Sequence, residues 1–82
     1  MARVEVRWYA GARAAAGTQS AVVDVPEGAP VADILRMAVG ENAELQAVVE
    51  VSSLLAGGAR IEDRDAPLTH ARLDVLPPFA GG

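Results

Sequence analysis

The sequence finishes with the stretch LPPFAGG, and the group at Gly82 that could react is its α-carboxylate. A terminal carboxyl has an ordinary pKa of about 3.5, so it is ionised at neutral pH. A carboxylate accepts a nucleophile only after one of its oxygens becomes a leaving group, and adenylation is the usual route. Because Gly81 and Gly82 lack Cβ atoms, their backbone can pass through a narrow channel. The end of the chain is therefore a candidate reactive group.

The residues before this end favour an extended tail. Pro77 and Pro78 cannot donate to a β-ladder, so a strand is expected to stop before them. Residues 77–82 would then span on the order of 20 Å when extended, at ~3.3 Å per residue. We predict a folded domain over residues 1–76 and a tail over 77–82 that reaches into a partner's active site. Phe79 could bind a groove of that partner or fold back onto its own sheet.

Other reactive chemistry has little support in the sequence. The chain has no cysteine, which excludes disulfides, thiolate catalysis and cysteine-based metal sites. His70 is the one histidine, so we predict a solvated loop residue rather than a metal ligand or a base. Asp63 and Asp65 in the stretch EDRD favour a solvated turn. We expect no metal site and no bound cofactor.

Composition limits the class of protein. Eighty-two residues make one small domain, and 17 of its apolar residues are alanine, so a deep cofactor pocket is not expected. The net charge of −4 argues against a nucleic-acid partner. The first ten residues alternate charged and apolar side chains, unlike a signal peptide or a membrane span. We expect a cytoplasmic protein without a membrane partner.

Period-2 and helical patterns predict the elements of the first half. Residues 3–9 and 19–25 alternate polar and apolar side chains, which predicts two strands paired as a hairpin, with Trp8 in the core. The small residues 10–17 between them read as a connector. Apolar residues at 31, 34, 35 and 38 predict a helix that Gly40 ends.

The second half is predicted to contain short strands. Residues 43–51 fit either a short helix or a strand, and periodicity does not decide between them. A turn at Gly57-Gly58 predicts two short strands around it. Residues 72–76 alternate again and predict a last strand that leads into the tail. The order β-β-α-(short helix)-β-β-β is an α+β arrangement, with one main helix across a sheet.

Two stretches carry a resemblance to a known family. VPEGAPVADIL, a turn that enters a helix, and the closing LDVLPPFAGG resemble the ubiquitin-like β-grasp sulfur carriers of the MoaD and ThiS type. The resemblance covers nearly the whole chain and is closest to the small subunit of molybdopterin synthase, the MoaD type. It implies a mixed sheet of about five strands, one main helix and an extended C-terminal tail.

The resemblance also implies a role for the tail. An E1-like activating enzyme would consume ATP to adenylate Gly82, and a sulfurtransferase or other sulfur donor would convert it to a thiocarboxylate. The tail residues would enter an acceptor synthase, such as the molybdopterin synthase large subunit; they are Gly81, Ala80, Phe79, Pro78 and Pro77. The chain would then be a sulfur-carrying co-substrate or small subunit, not a catalyst alone.

Other functions stay open at this point. The sulfur could serve molybdopterin, thiamine, cysteine or another sulfur-containing metabolite. The chain could instead be a ubiquitin-like modifier that joins its Gly82 carboxyl to lysines of target proteins. A third possibility is an interaction module whose last glycines are never modified. Arginine supplies all seven basic residues. Compositional bias accounts for the absence of lysine; the alternative is that this absence suits a chain whose activated carboxyl end could acylate amines.

Overall fold

The computed structural model describes residues 1–78, and in them three helices pack on one face of a five-stranded mixed sheet. The predicted α+β, β-grasp-like architecture is therefore confirmed. The strand order is β2-β1-β5-β3-β4; β1 and β5 run parallel, and the other neighbouring pairs are antiparallel. The elements are β1 (Ala2–Trp8), α1 (Ala10–Ala16), β2 (Ser20–Val25), α2 (Val31–Val39), α3 (Ala43–Glu50), β3 (Ser53–Ala56), β4 (Ala59–Arg60) and β5 (Arg72–Leu76).

Alternation along the strands separates the core from the second face of the sheet. In β1, Val4, Val6 and Trp8 are buried, as the sequence predicts, and they pack with inward residues of β5 and β3 beneath the helices. The opposite face carries no helix in residues 1–78, and we call it the open face. Its residues are Arg3, Glu5 and Arg7 of β1, Ser20, Val22 and Asp24 of β2, Ser53 and Leu55 of β3, Arg60 of β4, and Arg72, Asp74 and Leu76 of β5.

Helix α2 is the main helix predicted from the apolar stripe. Val31, Ile34 and Leu35 are buried, and Gly40 ends the helix by donating its N–H to the Arg36 carbonyl over 3.1 Å. Pro30 at the N-cap provides no side-chain acceptor. The loop before β5 provides the missing acceptors. The N–H of residue 31 donates to the carbonyl of residue 66 over 3.1 Å, and the N–H of residue 32 donates to the carbonyl of residue 64 over 2.8 Å. These long-range bonds satisfy donors that a helix N-terminus otherwise leaves unpaired.

The connector predicted for residues 10–17 is wrong, because Ala10–Ala16 form helix α1. Alanine has the highest helix propensity, and Gly17 ends the helix at φ +76° with its N–H bonded to the Arg13 carbonyl. A seven-residue helix is unstable alone, so α1 depends on burying Ala12 and on packing against α3. Strands β1 and β2 pair antiparallel as predicted, but a helix joins them instead of an irregular connector.

Residues 43–51, for which the sequence allowed either a short helix or a strand, contain helix α3 (Ala43–Glu50). Asn42 caps it, since its side-chain oxygen accepts from the Leu45 N–H over 3.0 Å. The same side chain donates from Nδ2 to the Ala15 carbonyl at the end of α1, also over 3.0 Å. One amide therefore joins the C-terminal end of α1 to the N-terminal end of α3.

The predicted short strands around Gly57-Gly58 are confirmed as β3 and β4. Both glycines have positive φ, +58° and +80°, which a two-residue hairpin turn of type I′ requires. The predicted solvated turn is also present, because the Asp63 carboxylate accepts from the Asp65 N–H over 2.9 Å and both residues are exposed.

Candidate functional site at the end of strand β5

The strand that leads into the tail is the central strand of the sheet. β5 lies between β1 and β3, and its inward residues Leu73 and Val75 have no exposed surface. Neighbours on both sides supply backbone hydrogen bonds, so a strand in this position resists local opening. Whatever follows β5 is therefore attached to one of the most firmly held parts of the molecule.

The sheet ends where the sequence predicts, at Leu76. Its partner across β3 is Ser53, and on the other side the Tyr9 N–H donates to the Val75 carbonyl over 3.2 Å. Pro77 is half-buried and Pro78 is exposed, and neither belongs to a strand. The remaining predicted site residues, Phe79, Ala80, Gly81 and Gly82, lie outside the described residues. Their roles, and the division into domain and tail, stay predictions.

A polar cluster lies beside the point where the chain leaves the sheet. The Tyr9 hydroxyl donates to Asp74 Oδ1 over 3.4 Å, and Arg72 Nε donates to the same oxygen over 3.0 Å. The hydrogen bond and the charge of Asp74 raise the pKa of Arg72 above its ordinary value. Sequence reasoning missed this cluster: alternation places Arg72 and Asp74 on one face, but Tyr9 is 65 residues away from Asp74.

Apolar side chains adjoin the cluster on the open face. Leu55 faces Asp74 across β3 and β5, and Leu76 lies diagonally across from Leu55. Both leucines are half-buried although no helix covers them. Diagonal neighbours on one face lie within reach of each other, so the two form a small apolar surface next to the start of the tail.

Charge is divided unevenly between the two sides of the molecule. The open face holds four arginines and three carboxylates, a net charge of +1. The rest of the chain holds three arginines and eight carboxylates, a net charge of −5. An acidic partner is therefore repelled less at the open face than at the rest of the surface. Such electrostatic fields influence the rate of encounter more than the final affinity.

The described residues offer no evident place for a metal ion. Within residues 1–78, no group of three or more histidine, aspartate or glutamate side chains is arranged to hold one. His70 is exposed in the loop before β5, as predicted, where its ring covers Gly57 and Nδ1 lies 3.3 Å from the Thr69 hydroxyl. None of the helices in this part of the chain is long and apolar enough to cross a membrane.

Comparison with known proteins gives matches among solved structures. No protein-family model and no curated protein matches the chain. The crystal structure of SAMP1, small archaeal modifier protein 1, from Haloferax volcanii superposes with a TM-score of 0.80 at 26% identity, covering 98% of this chain and 99% of that one. A putative molybdopterin converting factor, subunit 1, from Pyrococcus furiosus gives 0.79 at 22% identity, covering 96% and 100%.

A third match comes from a complex. The complex of subunits 1 and 2 of the molybdopterin-converting factor from Helicobacter pylori contains a chain that superposes with a TM-score of 0.67 at 21% identity, covering 98% of this chain and 99% of that one. Together with the sheet order and the position of α2, these matches define a ubiquitin-like β-grasp fold. Within that class the fold is MoaD-like, which confirms the resemblance drawn from the sequence at the level of fold.

Proposed function

We propose that this chain is a sulfur carrier whose Gly82 carboxylate is adenylated and then converted to a thiocarboxylate. The observation that carries the proposal is the junction between fold and tail: the central strand of a MoaD-like sheet ends at Leu76, directly before PPFAGG. In this function Gly82 would be the carboxyl end that reacts. A firmly held strand would fix the base of the tail, while the tail itself would reach a partner's active site.

The chemistry would proceed in two substitutions, the first at the α-phosphorus of ATP and the second at the Gly82 carbonyl carbon. First, a carboxylate oxygen of Gly82 attacks the α-phosphate of ATP in the activating enzyme, and pyrophosphate leaves. Second, a sulfur nucleophile from the donor attacks the Gly82 carbonyl carbon of the acyl-adenylate, and AMP leaves with the former carboxylate oxygen. A sulfide donor would give the thiocarboxylate directly; a sulfurtransferase persulfide would give an acyl disulfide, which a thiol then cleaves by forming a disulfide with the donor sulfur. The product is a thiocarboxylate, which holds the sulfur at the end of the tail for an acceptor synthase. The chain consumes ATP only through its partner and binds no cofactor of its own.

The open face is the surface that we propose contacts these partners. Leu55 and Leu76 provide apolar contact next to the start of the tail, and Arg72 and Asp74 provide charged contacts beside them. A partner that binds this surface would receive the tail at its edge without moving the sheet. We propose molybdopterin as the first pathway to test and the cytoplasm as the compartment, with thiamine, cysteine and other sulfur-containing metabolites as further acceptors.

The second candidate is a ubiquitin-like modifier that joins Gly82 to lysines of other proteins. The observation in its favour is the similarity to SAMP1, which is named a modifier protein, at 26% identity over almost the whole length of both chains. Both functions would begin with adenylation of Gly82. They differ in the nucleophile that follows, which is sulfur in the carrier and a lysine amine in the modifier.

The mass of the protein tests the shared step and the carrier function. The chain is incubated with its activating enzyme, ATP and a sulfur donor, and intact mass is recorded with and without ATP. We expect the mass gain of one oxygen replaced by sulfur, located in the C-terminal peptide. A chain that lacks Gly82 is the matched control. A gain that persists in this control, or no gain in the native chain, contradicts the proposal.

Protein from its native cell separates the two candidates. A carrier should be recovered free or in non-covalent complexes, with the thiocarboxylate on part of the population. A modifier should yield branched peptides in which Gly82 is joined to a target lysine. Branched peptides without any thiocarboxylate would favour the modifier and overturn the carrier.

A further inference from the structure

Strand β2 forms one edge of the sheet, and its backbone register shows which groups point outward. The Trp8 N–H donates to the Gln19 carbonyl over 2.9 Å, so residues 8 and 19 are a hydrogen-bonded pair. Such pairs alternate along an antiparallel ladder, which makes 6:21, 4:23 and 2:25 hydrogen-bonded as well. The N–H and C=O groups of Ser20, Val22 and Asp24 therefore point away from β1. Within residues 1–78, no backbone hydrogen bond from another element reaches these groups.

This edge has few of the features that usually block pairing with another chain; its one charged residue is Asp24. β2 is six residues long, contains neither proline nor lysine, and carries valine at three positions. Val22 lies on its open-face side with 58% of its surface exposed. On the helix side, the exposed Met37 of α2 borders a groove with Val25. Exposed apolar side chains therefore flank the edge on both faces.

We propose that β2 pairs antiparallel with β2 of a second copy of this chain, about a two-fold axis at Val22. In this register Val22 faces Val22 of the second copy. The outward N–H and C=O groups of residues 20, 22 and 24 can then form the hydrogen bonds of the new ladder. Ser20 then faces Asp24 of the second copy in both halves of the interface. Serine can donate to the carboxylate, so no two like charges face each other directly across the new ladder.

The charges of the neighbouring strand support this register. Asp24 already accepts from Arg3 Nε over 3.2 Å, and Ser20 is the β1 partner of Arg7. Across the interface each row would read Arg7, Ser20, Asp24 and Arg3, the last two from the second copy. Each Asp24 would therefore have Arg3 of its own chain on one side and Ser20 of the second copy on the other, with Arg7 of that copy one strand further away. On the helix side, the half-buried Ala21 would face Val23, which is an apolar pair.

The pairing would leave both tails available. β2 is at the outer edge, and β1 separates it from β5. The two-fold axis reverses the second sheet, so the two β5 strands would point in opposite directions. A short strand pair buries much less than the ~1,200 Å² of a stable interface, so the association is expected to be weak and concentration-dependent. This inference does not depend on the sulfur-carrier function.

Sedimentation velocity from about 10 μM to 1 mM tests the pairing, a range in which weak interfaces of this kind dissociate. We expect the native chain to shift toward the dimer as concentration rises. Val22→Pro removes an outward N–H but no bond to β1, so it should retain the fold while weakening association at least tenfold. Val22→Lys should act similarly, through repulsion of two facing ammonium groups. Val51→Lys is the matched control. Val51 is 67% exposed and lies just before β3, which β1 and β5 separate from β2, so this lysine should not affect the β2 edge.

Amide exchange measured by NMR at low and high concentration provides the second readout. The amides of residues 20, 22 and 24 should become protected at high concentration, while those of 21 and 23, already bonded to β1, should change little. A chain that stays monomeric at 1 mM overturns the proposal. So does a dimer that Val22→Pro leaves intact, or intermolecular contacts that join β2 to the tail of the second copy instead of its β2.

Discussion

Asn42 is expected to stabilise two helices at once, and its substitution provides a sharp test of the fold. Its Oδ1 accepts from the Leu45 N–H at the start of α3, and its Nδ2 donates to the Ala15 carbonyl at the end of α1. Loss of an N-cap side chain costs about 1 kcal/mol, and loss of a half-buried hydrogen bond costs about 1 kcal/mol more. Asn42→Ala should therefore lower the free energy of unfolding by about 2 kcal/mol.

Asn42→Asp separates the two contributions. The carboxylate keeps the acceptor for α3 and gains from the positive end of that helix, but it cannot donate to the Ala15 carbonyl and is repelled by the negative end of α1. We expect a loss of about 1 kcal/mol, between the native chain and the alanine variant. Gln46→Ala, one turn further along α3 at an exposed position, is the control and should stay within about 0.5 kcal/mol of the native chain.

Urea unfolding and thermal unfolding followed by circular dichroism measure these differences. For a domain of this size, 1 kcal/mol corresponds to about 4–8 °C in Tm, so Asn42→Ala should lower Tm by about 8–16 °C. The reasoning is refuted if Asn42→Asp is as destabilising as Asn42→Ala. It is also refuted if the alanine variant matches the Gln46→Ala control, because the bridging amide would then contribute nothing.

Other perturbations test the core, the hairpin turn and the end of the chain. Leu73→Ala should cost about 2–5 kcal/mol in urea unfolding, because Leu73 has no exposed surface; deletion of residues 81–82 should leave Tm unchanged, and a clear loss would make the glycines structural. Gly57→Ala should destabilise more than Gly58→Ala, although both positions have positive φ, because a Cβ at 57 would lie 2.7 Å from His70 Cδ2 while the one at 58 has open space. Equal losses for the two alanines would contradict the contact. Gly82→Ala and the addition of one glycine, which moves the carboxylate by about 3.5 Å, should both slow thiocarboxylate formation, since misplacement by ~1 Å can cost a hundredfold in rate. An extended chain that reacts like the native one would show that the end is only a flexible tether.

Local patterns in the sequence determined most of the sheet and the main helix. The alternation of Val4, Val6 and Trp8 predicts a strand with one buried face, and all three side chains are buried in the structure. The same is true of Leu73 and Val75 in β5, and of the i, i+3, i+4 stripe of α2. Gly40, Gly57 and Gly58 end or turn the chain at their predicted positions. In each case the deciding residues lie within a few positions of one another.

Tertiary contacts decided the elements that local patterns leave open. α1 is too short to be stable alone and depends on its packing against α3 and on Asn42, 27 residues from Ala15. α2 has no side-chain cap, and the loop carbonyls of residues 64 and 66 take that role. The polar cluster beside the tail joins Tyr9 to Asp74 only because β1 and β5 run parallel. These contacts join residues far apart in the chain, and only the packed sheet and helices bring such residues together.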